Sequence, residues 1–494
     1  MKRRPWFSVA LCIVPMGIAL MGIALSAQAA TPGADAPPLP QPPRPVVVPA
    51  FDQHTLPNGL TLVVAPRHEA PVVTIALLVR AGPELDPAGR SGTAAMTAGL
   101  LTKGARRGGR AVSATELARQ AEALGGTLEA ASGWRSSTVA MTVTTPKLDA
   151  AAALVADVVR QPTLAAAELE RARAQSLDGL RVTMGDPGAV AGMVARRAFW
   201  GDSAYGSVAT VPSIKRITRT DVQAFHAAAY RPERAVLVLA GDIEAPQAQA
   251  LAKKLFGPWR GAANAATTPR PTTPSALAQP LVLIDMPGSG QSGVVVAAPF
   301  VASGAGDRRA GQVANAVLGG GYSARLNQEV RIKRGLSYGA FSEAETHPAS
   351  GMAQASTQTS HPNAAQVLQL VRGEIDRLAE TPPTAEELAA RQATLIGSFA
   401  RRLETTGGLA SLVVAQLVQG RPLDDLQRSV DEIMAVTPAQ VQGFARQHWQ
   451  AKTLRGVIAG DLKAAGDALT ALPGSALRVP VESLDLDQPS LTRP

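Results

Sequence analysis

A chain of 494 residues is too long for one ordinary hydrophobic core, and 46% apolar with 18% charged residues place it among globular proteins of roughly two to four domains. The formal charge of +9 comes from scattered Lys and Arg with no basic run beside aromatic residues, which argues against nucleic-acid binding. The only cysteine, Cys12, lies near the start, so the sequence beyond it holds no disulfide, thiolate metal site or cysteine nucleophile.

Residues 1–30 read as an export signal. Lys2, Arg3 and Arg4 make a basic start, an apolar run follows over residues 6–25, and Ala27-Gln28-Ala29 supplies the small-residue pattern a signal peptidase cuts. Cleavage is expected near Ala29 or Ala30 and takes the charge from +9 to +6 (9 − 3). Pro15, Gly17 and Gly22 interrupt the run and argue against a permanent spanning helix. The expected location is bacterial periplasm, with secretion or membrane tethering as alternatives.

Residues 31–50 form a proline-rich leader, too poor in periodic apolar residues to pack. A first folded half spans 51–260. In it, Asn58-Gly59 is a turn signal before a strand at 60–64, and a second strand is expected at 72–79. Ser113-Ala-Thr-Glu116 reads as a capping box opening a helix that ends at Gly125-Gly126, after which 138–145 alternates as a strand. Residues 261–280, rich in Ala, Thr and Pro, read as a linker. A second half spans 281–478, with strands at 281–284 and 294–298 and an amphipathic helix at 363–378, and a tail covers 479–494. The pattern is α+β, with helices covering a mostly antiparallel sheet in each half.

The halves look like copies. Residues 213–225 align with 432–444 at a constant offset of 219, which also pairs Tyr230 with Trp449 and Ala240-Gly241-Asp242 with Ala459-Gly460-Asp461. Thr218 and Thr437 fall at the N-cap of equivalent helices, with Asp221 and Gln440 three residues on to reach back to the cap amide. Short strands at 236–239 and 455–458 follow.

Several segments carry a family resemblance: Leu56-Pro-Asn-Gly-Leu60, Val79-Arg-Ala-Gly82, residues 92–105, Phe225-His226 through Gly241-Asp242, and Leu318-Gly-Gly-Gly321 through Tyr338. Over roughly residues 51–472 the chain resembles the pitrilysin/insulinase family of zinc peptidases. The resemblance implies two homologous halves arranged as a clamshell around a chamber for an unfolded peptide.

That family's chemistry uses an inverted H-x-x-E-H motif on a helix, two histidines holding zinc and a glutamate activating water. Here Ala95, Ala98 and Gly99 stand at those positions, and none offers a lone pair or a base. The downstream carboxylate ligand falls near 176–179, where Asp178 is the only acid. The six histidines (His54, His68, His226, His347, His361 and His448) have no second histidine within a helical turn. No zinc is expected in this chain.

What the resemblance retains is a second-half segment from which the family supplies an arginine and a tyrosine to the substrate. These match Arg331 and Tyr338. An arginine can bind a carbonyl or carboxylate, and a tyrosine hydroxyl can stabilise an oxyanion. The expected role is a non-catalytic subunit that completes the site of a homologous zinc-bearing partner, with zinc on the partner. Gly319, Gly320 and Gly321 are candidates for close approach to an extended peptide, or a plain helix terminus. A structural or peptide-binding scaffold is the competing expectation. Gly335-Leu-Ser337-Tyr-Gly339 satisfies G-x-S-x-G, but a charged helical segment precedes it and a strand follows, the reverse of a nucleophile elbow.

Overall fold

A computed structural model describes residues 45–261 and 270–492. The export signal, most of the leader and the middle of the linker lie outside the described residues. The first half contributes strands β1 (Asp52–Thr55), β2 (Thr61–Pro66), β3 (Val72–Val79), β4 (Gly104–Arg107), β5 (Arg110–Ser113), β6 (Glu129–Gly133), β7 (Ser136–Thr144) and β8 (Ala235–Gly241). Its helices are α1 (Thr93–Leu101), α2 (Ala114–Ala123), α3 (Leu148–Arg160), α4 (Ala166–Met184), α5 (Pro187–Trp200), α6 (Val211–Arg216), α7 (Arg219–Ala229) and α8 (Ala245–Phe256). The second half contributes β9 (Leu281–Asp285), β10 (Ser292–Phe300), β11 (Ala340–Thr346), β12 (Gly351–Thr359), β13 (Arg455–Gly460) and β14 (Ala476–Pro480). Its helices are α9 (Arg308–Gly319), α10 (Arg325–Asn327), α11 (Ala364–Glu380), α12 (Ala385–Leu403), α13 (Thr406–Val418), α14 (Ser429–Met434), α15 (Pro438–His448) and α16 (Leu462–Ala465).

The duplication is visible in the sheets. One runs β1-β2-β8-β3-β7-β6 and the other β11-β12-β10-β13-β9-β14. Read in opposite directions they share a topology: β2 and β9 lie parallel to β8 and β13, and the next three strands of each follow antiparallel. The offset of 219 carries α7 onto α15 residue for residue. Both helices open with a reciprocal capping box, Thr218 with Asp221 and Thr437 with Gln440. At α2 only half of the expected box forms: Ser113 accepts from the Glu116 amide, while the Glu116 carboxylate turns to Arg119 and Gln120.

Each sheet is buried on both faces, which explains its continuous apolar strands. Along β3, Val73, Ile75, Leu77 and Val79 enter a core shared with α3 and α8, while Ala76 and Leu78 enter a different one. That second core is completed by Leu409, Leu412, Val413 and Leu417 of α13, a second-half helix. Reciprocally, Val190, Val194 and Ala198 of α5, a first-half helix, pack on Val282, Ile284, Val295, Ala297, Val457 and Ala459 of the second sheet. The period of two thus divides each strand between its own half and the other.

The described part of the linker is tied down. The Ala204, Ser275 and Leu277 amides donate to the Pro271, Trp200 and Ala198 carbonyls respectively. Gly201 there has φ +54, and a Cβ would lie 2.0 Å from the Ser275 carbonyl, so only glycine fits. The 478/479 boundary drawn from the sequence falls inside β14. Beyond it Leu486 and Leu491 are buried between the halves, and the Arg197 guanidinium donates to the Asp487 carbonyl (2.7 Å) and the Gln488 carbonyl (3.3 Å).

Candidate functional site

Helix α1 carries the three motif positions. Its buried face (Met96, Leu100 and Leu101 among others) packs on α4, α6 and α7 and on the first-half core. Its start is fixed by Asp86, whose carboxylate accepts from the Gly92 and Ala94 amides at 2.7 Å each. Burial pushes the Asp86 carboxyl up to about 7, against the pull of those two amides. Ala98 is buried, whereas Ala95 and Gly99 are exposed. A Cβ added at Gly99 would meet no heavy atom within 4 Å. The room for a second ligand is present and the ligand is not.

Ala95 opens into a cavity of about 520 Å3 between the halves, walled by Trp134, Met193, Glu343, Met352 and Gln354. Arg196 lies 4.5 Å over the Trp134 ring and donates to Glu345 (2.7 Å) and to the Tyr205 carbonyl (3.0 Å). Burial by itself raises the Glu345 carboxyl, but His347 and Arg196 beside it bring it down to about 2. Asp178, the candidate downstream ligand, is an exposed partner of Arg181 on α4. Among the described residues no three His, Cys, Asp or Glu side chains come together in a way that could hold a metal ion. These residues do not fit the zinc centre that the motif serves elsewhere.

The histidines are occupied otherwise. His68 pairs with Asp242 and Glu244, His226 meets the Val159 carbonyl, and His347 stacks on Tyr205 at 3.7 Å. His361 bridges Ser292 and the Ser289 carbonyl, and His448 meets Asp307. His54 is on edge strand β1.

Arg331 sits on a π-helical turn, Gln328–Ile332, of the kind that often marks functional sites. Two buried side chains hold the surrounding loop. Asn327 donates to the Tyr322 carbonyl (2.5 Å) and accepts from the Ala340 amide (3.2 Å), and Glu329 is gripped by Lys333 and Arg334. The Arg331 guanidinium lies 5.2 Å over the Tyr322 ring. Tyr338 is 92% exposed, with Tyr322 (66%) and Ile332 (58%) also projecting. Sequence reasoning missed Tyr322, Asn327, Glu329 and Asp86: Glu329 and Lys333 stand four apart, a spacing that could have been read, whereas the contacts of the other three depend on loop geometry.

The glycine triplet ends α9. Gly319 is pressed against β11, where a Cβ would lie 2.3 Å from the Ser342 amide, and Gly320 abuts Ala316. None of the three adopts positive φ. The G-x-S-x-G segment lies between the π turn and β11, so the order is indeed reversed for a nucleophile elbow.

Fold and site together define a two-halved α+β peptidase scaffold in which, among the described residues, no set of side chains for zinc chemistry is assembled. Residues 62–200 match the family described as insulinase (peptidase family M16), and residues 216–395 match the one described as peptidase M16 inactive domain. An uncharacterized zinc protease of Mycobacterium leprae is 26% identical over 395 residues, covering 80% of this chain and 88% of that protein. A non-peptidase homolog of Helicobacter pylori is 23% identical, covering 80% and 90%. A solved peptidase M16 inactive domain from Pseudomonas fluorescens superposes with TM-score 0.73 at 25% identity over 83% of this chain and 98% of that one. A solved protease from Helicobacter pylori shares the fold with TM-score 0.77 at 20% identity, over 84% and 100%. The chain belongs to the insulinase family, as a non-catalytic member.

Proposed function

We propose that this chain is the non-catalytic partner subunit of an exported heteromeric zinc peptidase. It binds peptide and presents Arg331 and Tyr338 to a zinc site on a homologous subunit. The observation that supports this most is the segment around Arg331: a π turn anchored from below by Asn327 and Glu329, with Tyr338 and Tyr322 projecting outward. A rigid base with free aromatic tips suits groups that act on another chain. The periplasm is the proposed location. No helix among the described residues is long and apolar enough to cross a membrane.

A scaffold role is the second reading, and Gly319 favours it for the triplet, because its lack of a side chain is already accounted for by close packing on β11. The test pairs the chain, purified without residues 1–30, with a zinc-bearing homologue from the same source and follows peptide cleavage. Activity appearing only in the mixture, and falling on the order of 100-fold with Arg331→Ala or Tyr338→Phe while assembly persists, establishes the site-completing role. Assembly without any effect of either substitution leaves the scaffold.

A further inference from the structure

A cavity of about 860 Å3 opens between the loop at 303–307, the start of α9, the loop at 419–422 and α15. It shares no lining residue with the cavity beside Ala95. Four arginines gather here, and the acids facing them are taken. Arg309 is held by Glu432 (2.8 Å) and Ser429 (2.8 Å), and Arg421 is held by Asp425 through both Nε (3.0 Å) and Nη2 (2.5 Å). Arg428 spans Asp425 and Glu432, and Asp307 accepts from His448 at 2.7 Å. Arg308 is the remainder: half-buried, its guanidinium makes no hydrogen bond or ion pair among the described residues. Burial, then Arg309 and Arg421, push it down to about 10. No side chain caps the first turn of α9, on which Arg308 sits, so the positive end of that helix adds to the field.

A half-buried guanidinium with no protein acceptor is left to solvent or to a bound anion, and the cavity beside it has room for one. We infer that this cavity binds a phosphate group, with Arg308 as its direct charged donor. A tetrahedral dianion suits the setting better than a planar carboxylate, because it can accept from an arginine fork and from helix-start amides together. The inference is independent of the reading of Arg331 and Tyr338. A soluble phosphoester and a lipid headgroup offer the same chemistry.

The chain purified without residues 1–30 is titrated with inorganic phosphate by calorimetry and thermal unfolding, beside Arg308→Gln and a control on an exposed helix, Arg119→Gln. Phosphate is expected to bind wild type and the control alike and to raise their Tm, and to bind Arg308→Gln about tenfold or more weakly. In phosphate-free buffer Arg308→Gln should melt no lower than wild type, because it removes an unpaired charge. Flotation with phosphatidylcholine vesicles, with and without phosphatidic acid, assigns the source. Retention that free phosphate reverses indicates a headgroup, and phosphate binding without retention indicates a soluble ester. Equal phosphate affinity in wild type and Arg308→Gln, no binding at millimolar phosphate, or a phosphate-independent fall in Tm for Arg308→Gln overturns the inference.

Discussion

Leu409→Ala should weaken the half of the chain to which it does not belong. Leu409 is fully buried on α13, in the core formed with Val63, Leu78, Val236 and Val238 of the first sheet. Truncating such a side chain costs about 2–5 kcal/mol, the transfer loss plus the cavity left behind. The dependence is larger than one residue. Those four branched side chains, at about 1.5–3 kcal/mol each, represent roughly 6–12 kcal/mol, comparable to the whole stability of a domain. The first sheet therefore needs α13, and the second needs α5. Urea unfolding followed by circular dichroism should show one transition, displaced by the substitution, and hydrogen exchange should show β3 and β8 amides losing protection together with second-half strands. Unchanged protection in β3 and β8, with loss confined to the second half, would refute the reciprocal packing as an energetic coupling.

Two further outcomes follow from single contacts. Asp86 has a folded pKa raised to about 7, so the folded state holds its proton more tightly than the unfolded chain; its contribution is greatest below the ordinary carboxyl range and is lost as pH climbs toward 7. Wild-type stability should fall by up to about 1.4 kcal/mol per pH unit across that window, and Asp86→Asn should flatten the slope in denaturant titrations at stepped pH. Deleting residues 481–494 removes buried Leu486 and Leu491 and strips Arg197 of two carbonyl acceptors. The two leucines alone imply a loss of about 3–6 kcal/mol, read as a lower Tm or denaturant midpoint.

Much of the architecture was legible because it rests on local rules. The offset of 219, the paired capping boxes and the strand at 72–79 all follow from spacing and propensity, and the structure reproduces them. Element ends shifted by a residue or two: the helix expected at 363–378 runs Ala364–Glu380 after a short 3-10 turn. The exchange of α5 and α13 between halves was not legible, since an apolar helix does not state which sheet it covers. For the same reason the tail read as a tail: Leu486 and Leu491 are isolated apolar residues until the fold brings the inter-half core beneath them.

The site was legible in its absences and hidden in its supports. Alanine and glycine at 95, 98 and 99 are plain in the sequence, but why the fold tolerates them is not. Helix α1 packs through Thr93, Ala94, Met96, Thr97, Leu100 and Leu101, and its start is fixed by Asp86; Ala95 and Gly99 lie on the open side. Metal ligands at those two positions would contribute little to the core, so their loss leaves the scaffold standing. The Arg331 segment is the opposite case. Asn327 and Glu329 are buried polar groups that stabilise the fold only while fully partnered, and the partners they have hold the loop that carries Arg331 and Tyr338. Ala95 and Gly99 thus stand where a side chain would add little to the core, whereas half-buried Arg331 and exposed Tyr338 stand on a base of partnered, buried polar groups.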